Sequence, residues 1–310
     1  MKILITGGSG FLGAWIVRRL VDAGMEPRVF DITNNRDRIA EIAGQRTARD
    51  LVWVVGDIRN ADDVRLAAEG CQGIIHLAGV LTPACAAKPV LGAEINLIGT
   101  LNAFEAARHH GIASVAYAGS AGVFGPDSGE VPAPATHYGA FKLACEGSAR
   151  AYWNDHRISS VGFRPFVVYG PGRETGASAG PTLACRAAAR GEPYVIPFTG
   201  ASGLVYVEDV AAAFVQAVID RPQGARVCNI VGQEASVDEV MATIRERVPG
   251  ARLSAAGAPL PIAVGQSEAE LDALFPARPR TSLAQGIART IAHYQAACDQ
   301  AAGAARSVSA

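Results

Sequence analysis

The sequence predicts an α/β fold, in which a doubly wound parallel sheet is accompanied by a smaller, interleaved C-terminal α/β region. Short apolar runs alternate with longer helical stretches through the first half of the 310 residues. These runs are almost continuously apolar, as is typical of parallel strands that are covered on both faces. Beyond Gly170 the pattern loosens into short strands, helices and a loop rich in glycine and proline.

The elements follow one another in a regular order. Strands are predicted, from their apolar and β-branched content, at 2–6, 27–31, 51–57, 73–79, 114–120, 159–170, 204–207 and 226–231. Helices are predicted, from their apolar spacing, at 11–23, 89–110, 137–155, 181–190, 207–220, 236–248 and 282–298. This order predicts a first domain at 1–165 and a second region at 166–300, from which 204–231 returns to the first, followed by a flexible tail at 301–310.

Composition and charge exclude several classes of protein. Hydrophobic residues make up 49% and charged residues 18%, which predicts a globular protein with a sizeable core. The net charge is −1 and no cluster of lysine and arginine occurs, so we expect no nucleic-acid partner. We expect no signal peptide, because glycines break the N-terminal apolar run, and no membrane span, because no apolar run reaches ~18 residues. The six cysteines lack metal-ligand spacing, so we expect no metal and a cytoplasmic protein with reduced thiols.

A glycine loop joins the first strand to the first helix. The segment "ITGGSGFLG" places Gly7, Gly10 and Gly13 at this turn, with Gly8 as an alternative start of the motif. Glycines allow a tight turn, and they let a pyrophosphate approach the amide groups at the start of the helix. A strand before the loop and a helix after it are the context that a dinucleotide site requires.

Acidic residues end the second and third strands. Asp31 is placed to accept the ribose hydroxyls of an adenosine and to repel a 2′-phosphate, which favours NAD. Arg36 and Arg38 lie close by and keep NADP as the less favoured alternative. Asp57 is placed to accept a hydrogen bond from an adenine amino group. In the alternative, Asp57 or Asn60 caps the next helix.

Tyr138 and Lys142 lie four residues apart, on one face of the predicted helix 137–155. A free tyrosine has a pKa of ~10, too high for a base near neutrality, and a lysine ammonium group one turn away favours the phenolate. Ser120, after the fifth strand, is placed to polarise the reacting oxygen. The alternatives are an ordinary surface pair or a non-catalytic dinucleotide sensor. Gly139 also lowers the helix propensity here by ~1 kcal/mol.

A series of segments, in order along the chain, is similar to those of the extended short-chain dehydrogenase/reductase family, the group of NAD-dependent sugar epimerases and dehydratases. They are "TGGSGFLG", Asp31, "GDIRN", "HLAG", "NLIGTLNAFEAA", "AGSAGVFG", "YGAFK", "RPFVVYGPG" and "VYVEDVA". The resemblance implies a Rossmann domain at 1–165, a mainly substrate-binding region at 166–300, and bound NAD. It also implies a homodimer formed through the helices at 89–110 and 137–155.

The resemblance further implies roles for individual positions. Ser120 matches the serine that hydrogen-bonds the reacting oxygen, Tyr138 the acid/base, and Lys142 the residue that binds the nicotinamide ribose and tunes the tyrosine. The cofactor set that it implies is Gly7, Gly10, Phe11, Leu12, Gly13, Asp31, Asp57, Ile58, Leu77, Ala78, Gly79, Asn96, Lys142 and Phe166. Within this set Asn96 is expected to start the long helix and to support the lysine region. Gly79 stands where the family more often has alanine.

One departure from the family bears on the substrate. Nucleotide-sugar members carry an arginine before the segment matched by "VYVEDVA", where this chain has Ser202 and Gly203. Arg173, Arg186 or Arg252 could take its place, but arginine at this position suits bidentate phosphate binding. We therefore predict an NAD-dependent oxidoreductase that acts on a secondary alcohol or carbonyl of a small, carbohydrate-like substrate. The alternative is a nucleotide-sugar epimerase or dehydratase with a tightly held cofactor. Substrate contacts are predicted at Thr82, Phe124, Tyr169 and Arg173.

Overall fold

The computed structural model describes residues 1–126, 129–262 and 264–308. Its strands are β1 (Lys2–Thr6), β2 (Glu26–Asp31), β3 (Val52–Val55), β4 (Gly73–His76), β5 (Ser114–Ala118), β6 (Ser159–Pro165), β7 (Val167–Tyr169), β8 (Tyr194–Ile196), β9 (Ala201–Tyr206), β10 (Ala225–Ile230), β11 (Gln233–Ser236) and β12 (Leu253–Ala255).

The helices fall mainly between these strands. They are α1 (Phe11–Asp22), α2 (Asp37–Ala43), α3 (Gln45–Asp50), α4 (Ala61–Ala68), α5 (Thr82–Ala87), α6 (Pro89–Ala93), α7 (Gly99–His110), α8 (His137–His156), α9 (Gly180–Arg190), α10 (Val207–Asp220), α11 (Val237–Arg247), α12 (Ala269–Leu274) and α13 (Leu283–Val308). A π-helical turn, Glu94–Ile98, joins α6 to α7, and a short 3₁₀ turn covers Ala121–Val123. Among the described residues, none of the helices is long and apolar enough to span a membrane.

Contacts within the chain divide it into two compact units. The first unit comprises Met1–Pro165, Glu208–Ile230 and Pro261–Pro279, and the second comprises Phe166–Val207, Val231–Leu260 and Arg280–Ala310. The predicted division did not place 261–279 with the first part of the chain. That segment is held there by polar contacts, since Gln266 donates to the Gly129 carbonyl over 2.8 Å. The functional roles predicted for the two parts remain predictions.

The first unit is built on a seven-stranded sheet in the order β3-β2-β1-β4-β5-β6-β10, and every neighbouring pair is parallel. The predicted fold class, a doubly wound parallel sheet, is therefore confirmed. The strand order reverses between β1 and β4. In sheets of this kind, ligands bind beyond the carboxyl ends of the strands at such a reversal. The glycine loop follows β1 and lies at this point.

Apolar side chains cover both faces of this sheet. On one face Leu4, Phe30 and Ile74 belong to the same buried cluster as Phe104 of α7, whose ring stacks on Tyr152 of α8 at 4.8 Å. On the other face α10 packs on the sheet, with the rings of Phe163 and Phe214 4.7 Å apart. Each buried apolar side chain of this size contributes about 1.5–3 kcal/mol to folding. The sheet is thus a rigid support for the loops that follow its strands.

The second unit contains two small sheets. In one, β9 pairs in parallel with β7 and antiparallel with β11, and in the other β8 pairs in parallel with β12. The sequence predicted one continuous strand at 159–170, but the chain divides it into β6 and β7, which belong to different sheets. Pro165 ends β6 and has no amide hydrogen to continue the ladder.

One other expectation differs from the structure, and some helices were not expected. The helix predicted at 89–110 is interrupted by the π-helical turn, where Gly99 donates its amide hydrogen to Glu94. Helices α2 and α3 were not predicted, because few buried apolar residues mark them. The tail at 301–310 is helical as far as Val308. Residues 309–310 lie outside the described residues, so the flexibility expected of the tail remains a prediction.

Candidate active site

The glycine loop lies against the segment that follows β4. Gly7 adopts a left-handed conformation with φ 71°, and a Cβ atom built on it would come within 2.7 Å of the Ala78 amide nitrogen. A Cβ atom on Gly13 would lie 2.5 Å from the Gly8 carbonyl oxygen. Gly10 precedes α1, and no side chain caps the start of this helix. The amide groups at a helix N-terminus suit a pyrophosphate.

Asp31 ends β2 and faces this loop. Its carboxylate accepts hydrogen bonds from the Ser9 amide at 3.0 Å and the Ser9 hydroxyl at 2.7 Å. Arg36, the basis of the NADP alternative together with Arg38, is engaged elsewhere. Its guanidinium donates to the Ala48 carbonyl over 2.6 Å and stacks on Trp53, with 5.1 Å to the ring centroid. This arrangement disfavours the binding of a 2′-phosphate by Arg36.

Asp57 follows β3 and is paired with Arg59. The Arg59 amide donates to this carboxylate over 2.9 Å, and its side chain adds further hydrogen bonds. These side-chain bonds are the main cause that holds the pKa of Asp57 below its ordinary value. The residue that caps α4 is Asn60, which accepts from the Asp62 amide at 3.0 Å. Of the two capping candidates Asn60 is therefore correct, and a contact of Asp57 with adenine remains a prediction.

Asn96 lies inside the π-helical turn, not at the start of the long helix, and it is fully buried. Its side-chain amide donates to the Val80 carbonyl at 3.1 Å and the Gly92 carbonyl at 3.0 Å. A Cβ atom on Gly79 would come within 2.7 Å of the Asn96 Oδ1 atom and 3.7 Å of the Lys142 Nζ atom. The glycine at this position therefore leaves room for Asn96 beside the lysine.

Ser120 and Tyr138 meet at Gly122. A Cβ atom built on Gly122 would lie 3.2 Å from the Ser120 Oγ atom and 3.7 Å from the Tyr138 Cδ1 atom. The Gly122 amide donates to Ser120 Oγ over 3.0 Å. Gly139 lies directly against the Gly122 carbonyl, so a side chain there would collide with the turn. The glycine that weakens the helix in the sequence is thus required by the close approach of α8 to the serine turn.

Lys142 lies one helical turn beyond Tyr138 and is buried, with 3% of its surface exposed. Its ammonium group donates to the Ala118 carbonyl, at the end of β5, over 2.7 Å. The Nζ atom is 5.8 Å from the centroid of the Tyr138 ring. A buried lysine held in this way differs from the surface pair that was the alternative. Its ammonium group thus lies near both the Tyr138 ring and Gly79.

His76 ends β4 and was given no role in the sequence, although it belongs to the segment "HLAG". It is buried, and its ring nitrogens lie 2.7 Å from Thr6 Oγ1 and 3.0 Å from Thr100 Oγ1. Burial, followed by the charge of Lys142, lowers the pKa of His76 to about 3. The signal in the sequence is one polar residue that ends an otherwise apolar strand.

The depressed pKa of His76 predicts a pH dependence of stability. An unfolded histidine has a pKa of about 6.5, so between about 3 and 6.5 the unfolded chain binds one more proton than the folded chain. Folding stability is then complete above about pH 6.5 and falls, by up to about 1.4 kcal/mol per pH unit, as the pH is lowered. His76→Gln should lose less stability between pH 7 and 5, as measured by urea unfolding. Parallel curves for the two proteins would contradict this.

The remaining predicted residues are distributed over both units. Phe11 and Leu12 begin α1, Leu77 follows β4, and buried Ile58 accepts a hydrogen bond from Asn102 over 2.9 Å. Thr82 begins α5 and is exposed. Phe124 is buried, with the Arg164 guanidinium 5.0 Å from its ring centroid.

Three further residues, Phe166, Tyr169 and Arg173, belong to the second unit. Phe166 is buried, and Arg173 donates to the Ser178 hydroxyl over 3.3 Å. Tyr169 is buried and its hydroxyl donates to the Leu283 carbonyl over 3.4 Å. The structure thus brings together the residues of the glycine loop, the 77–79 segment, Asn96 and the Ser120, Tyr138 and Lys142 group. Contacts of all these residues with cofactor or substrate remain predictions.

Comparison with known proteins places the chain in a family. Residues 3–231 match the model of the NAD dependent epimerase/dehydratase family. The chain belongs to this family. Membership confirms the predicted resemblance, the predicted enzyme class and NAD as the cofactor. Three features of this chain fit a dinucleotide. They are the start of α1, which has no side-chain cap, the glycines of the loop, where a Cβ atom would collide with backbone, and the carboxylate of Asp31.

Relatives within the epimerase/dehydratase family cover almost the whole chain. A UDP-glucose 4-epimerase from Mycolicibacterium smegmatis is 29% identical, over 95% of this chain and 99% of the relative. The solved complex of a Thermus thermophilus UDP-glucose 4-epimerase with NAD is 26% identical over 95% and 99% of the two chains, with a TM-score of 0.79. An L-threonine dehydrogenase from Cupriavidus necator shares the fold, with a TM-score of 0.83 at 21% identity over 94% and 99% of the two chains. Of the two predicted functions, the similarity to the two UDP-glucose 4-epimerases favours the epimerase alternative.

Proposed function

We propose that this enzyme epimerises a nucleotide sugar, by oxidising and then reducing one secondary-alcohol carbon with a retained NAD. The observation that carries the proposal is the arrangement of Ser120, Tyr138 and buried Lys142 beside the glycine at position 79. The full-length similarity to UDP-glucose 4-epimerases supports a nucleotide sugar as the substrate.

The cofactor would be held by the first unit. The pyrophosphate suits the amide groups at the start of α1, between Gly10 and Gly13, and the adenosine ribose suits Asp31. Bound NAD supplies a reversible hydride acceptor at its nicotinamide ring. Gly79 lies beside the ammonium group of Lys142, and the nicotinamide ribose is proposed to bind next to these two residues.

Each of the three polar residues has a separate task. Ser120 Oγ accepts from the Gly122 amide, so its own hydrogen is available for donation to the oxygen of the substrate. Tyr138 takes the proton of the alcohol and returns it when the carbonyl is reduced. Lys142 donates one hydrogen to the Ala118 carbonyl and has two more for other acceptors, with its ammonium group 5.8 Å from the centroid of the Tyr138 ring.

Epimerisation adds one requirement to this chemistry. The proton that Tyr138 removes must return to the same oxygen after the sugar presents its other face. The oxygen therefore stays near Ser120 and Tyr138 while the rest of the ring turns. The three polar groups suit this, because Ser120 and Lys142 are each anchored by a backbone group and do not depend on the sugar for their positions.

A second function is favoured by one feature of the second unit. Ser202, at the position of the expected phosphate-binding arginine, is buried, and its hydroxyl lies 3.5 Å from the Gly203 carbonyl oxygen. A Cβ atom on Gly203 would come within 2.6 Å of the Val231 carbonyl oxygen. Neither position offers a cation to a diphosphate. The second candidate is therefore a dehydrogenase that acts on a small, carbohydrate-like alcohol and releases NADH.

Several finer predictions belong to the same proposal. Substrate contacts of Thr82, Phe124, Tyr169 and Arg173 are part of it. A homodimer formed through residues 89–110 and 137–155 is also part of the proposal, and it would bury the exposed side chains of Val90 and Ile98. Action in the cytoplasm is supported by the six cysteines, all of which are free thiols.

One experiment separates the two functions. The purified enzyme is first tested for NAD that survives gel filtration. It is then incubated with UDP-glucose and UDP-N-acetylglucosamine, and the epimers are separated by chromatography. In parallel, a panel of free sugars, sugar acids and small alcohols is supplied with NAD, and NADH is followed by its absorbance. Tyr138→Phe is the inactive control in both assays.

The proposed function predicts that epimers form from a UDP-sugar without accumulation of NADH. Net NADH from a non-nucleotide alcohol, with no turnover of either UDP-sugar, would instead establish the dehydrogenase. Turnover that survives in Tyr138→Phe would contradict both functions, because each assigns the proton transfer to this residue.

A further inference from the structure

A line of buried hydrogen bonds joins the ends of β1 and β4 to the π-helical turn before α7. Thr6 Oγ1 lies 2.7 Å from His76 Nδ1, and His76 Nε2 lies 3.0 Å from Thr100 Oγ1. The Thr100 hydroxyl donates to the Asn96 carbonyl over 2.6 Å. None of these four residues exposes more than 1% of its surface. We refer to Thr6, His76, Thr100 and Asn96 as the His76 chain.

The hydrogens available to the His76 chain determine which group donates and which accepts in each of its hydrogen bonds. The Thr100 hydroxyl has one hydrogen, which it gives to the Asn96 carbonyl, so it must accept from His76 Nε2–H. His76 Nδ1 is then an acceptor, and the Thr6 hydroxyl donates to it. Thr6 in turn accepts from the Ala78 amide at 3.3 Å. Burial favours the neutral form of His76, and for a neutral ring the direction is self-consistent only with the hydrogen on Nε2.

The thiol of Cys145 also borders the His76 chain. It lies 3.4 Å from both the Asn96 carbonyl and the Thr100 hydroxyl. It is a weak donor to two oxygens that already act as acceptors, so the direction of the other bonds is unchanged. The line of donors therefore runs from the Ala78 amide to Thr6, and from His76 through Thr100 to the Asn96 carbonyl.

The two ends of the His76 chain hold one short segment of backbone. At one end, Thr6 accepts from the Ala78 amide, and at the other the Asn96 side chain donates to the Val80 carbonyl over 3.1 Å. Between these bonds lies Gly79, beside Asn96 and Lys142. The other side of the segment abuts Gly7, where a Cβ atom would come within 2.7 Å of the Ala78 nitrogen. A shift of residues 77–80 would therefore disturb both the glycine loop and the lysine.

We propose that His76 is a positioning residue, which as a neutral imidazole with its hydrogen on Nε2 fixes the 77–80 segment between the glycine loop and Lys142. It does not touch the reacting atoms. It connects the strand that precedes the glycine loop with the π-helical turn. It thereby fixes the distance between the glycine loop and the turn that contains Asn96. The inference rests on the proposed function only in taking residues 77–79 as part of that site.

The first test removes the retained cofactor and then measures the affinity for NAD by calorimetry, with no sugar present. Thr100→Val has nearly the same shape but cannot accept from His76, and we expect it to weaken NAD binding about tenfold, the effect of one buried donor left without a partner. Thr100→Ser, which keeps the hydroxyl, should restore the affinity to within about twofold of the wild type.

Thr290→Val is the matched control. Thr290 is also fully buried, and its hydroxyl donates to the carbonyl four residues earlier, Gly286, over 2.7 Å, as Thr100 does to Asn96. It lies in α13 of the second unit. The control should lower the melting temperature without changing the affinity for NAD. Thr100→Val with lowered stability but unchanged affinity would overturn the positioning role.

The second test does not measure NAD binding, so it does not depend on a variant that still binds NAD. Long-range proton–nitrogen correlation spectra of enzyme labelled in its six histidines report which ring nitrogen carries hydrogen, and His76→Gln assigns the signal. We expect the neutral form with hydrogen on Nε2. Hydrogen on Nδ1, or on both nitrogens, at neutral pH would overturn the proposal. Neither test requires a substrate, so a failure of the proposed function would be distinguishable from a failure of this inference.

Discussion

Replacement of Tyr138 by phenylalanine is expected to lower turnover by about 10²–10⁴-fold, the usual contribution of a positioned acid/base. The ring would keep its packing against the Gly122 turn, and only the hydroxyl that exchanges a proton with the substrate would be lost. Binding of NAD should change little, because its proposed contacts are with the glycine loop and Lys142. The measurements are kcat on the substrate identified as above and the dissociation constant of NAD.

Tyr152→Phe is the matched control for this prediction. Tyr152 lies on the same helix, and its hydroxyl donates to the Glu105 carboxylate over 2.8 Å, so the variant loses a hydrogen bond of ordinary strength. Its kcat should remain within about threefold of the wild type. If Tyr138→Phe kept the activity of the wild type, Tyr138 would not be the acid/base. If neither the wild type nor Tyr138→Phe turned over any substrate while both bound NAD, the sensor alternative would gain support.

Much of the site was predictable because its signals are local in the sequence. The glycine loop lies between a strand and a helix, so the requirements of a tight turn and an open helix start can be read from one short segment. The four-residue spacing of Tyr138 and Lys142 fixes their common helix face. The carboxyl ends of parallel strands meet at one edge, which brings Asp31, Asp57 and Ser120 to the same side of the sheet.

Other parts depend on contacts between distant segments and have no local signal. Gly139 appears unfavourable within its helix, and only the approach of the Gly122 carbonyl explains it. The π-helical turn around Asn96 follows the pattern of a regular helix. The role of His76 requires partners 70 and 24 residues away, Thr6 and Thr100. Periodicity reports which face of an element is buried, but not which polar groups meet there.

A buried ion pair holds α8 to the central sheet. Arg164 of β6 donates to both carboxylate oxygens of Glu146, over 2.7 and 2.6 Å. The side chains are 13% and 5% exposed. Glu146 follows Tyr138 and Lys142 at successive intervals of four residues, so the pair anchors the same helix face two turns beyond the tyrosine. Loss of one partner would leave the other charge buried without compensation.

Arg164→Met is therefore expected to lower the free energy of unfolding by about 3–5 kcal/mol, as is usual when a buried pair is broken. The double variant Arg164→Met/Glu146→Met should recover most of that loss, because two apolar side chains of similar volume carry no desolvation cost. The measurement is urea unfolding followed by circular dichroism and by tryptophan fluorescence. Agreement between the two probes is needed, since a chain with two units can depart from a single transition.

Arg108→Met tests whether burial or bond geometry causes the loss of stability in Arg164→Met. Arg108 and Glu105 are joined over 2.6 Å, as closely as Arg164 and Glu146, but their side chains are 51% and 42% exposed. Exposed pairs contribute about 0–1 kcal/mol, so this variant should change the unfolding free energy by less than about 1 kcal/mol. Equal losses in Arg108→Met and Arg164→Met would show that burial is not the source of the effect. A double variant no more stable than Arg164→Met would instead show that the guanidinium stabilises the fold through its other contacts, of which the Phe124 ring, 5.0 Å away, is one.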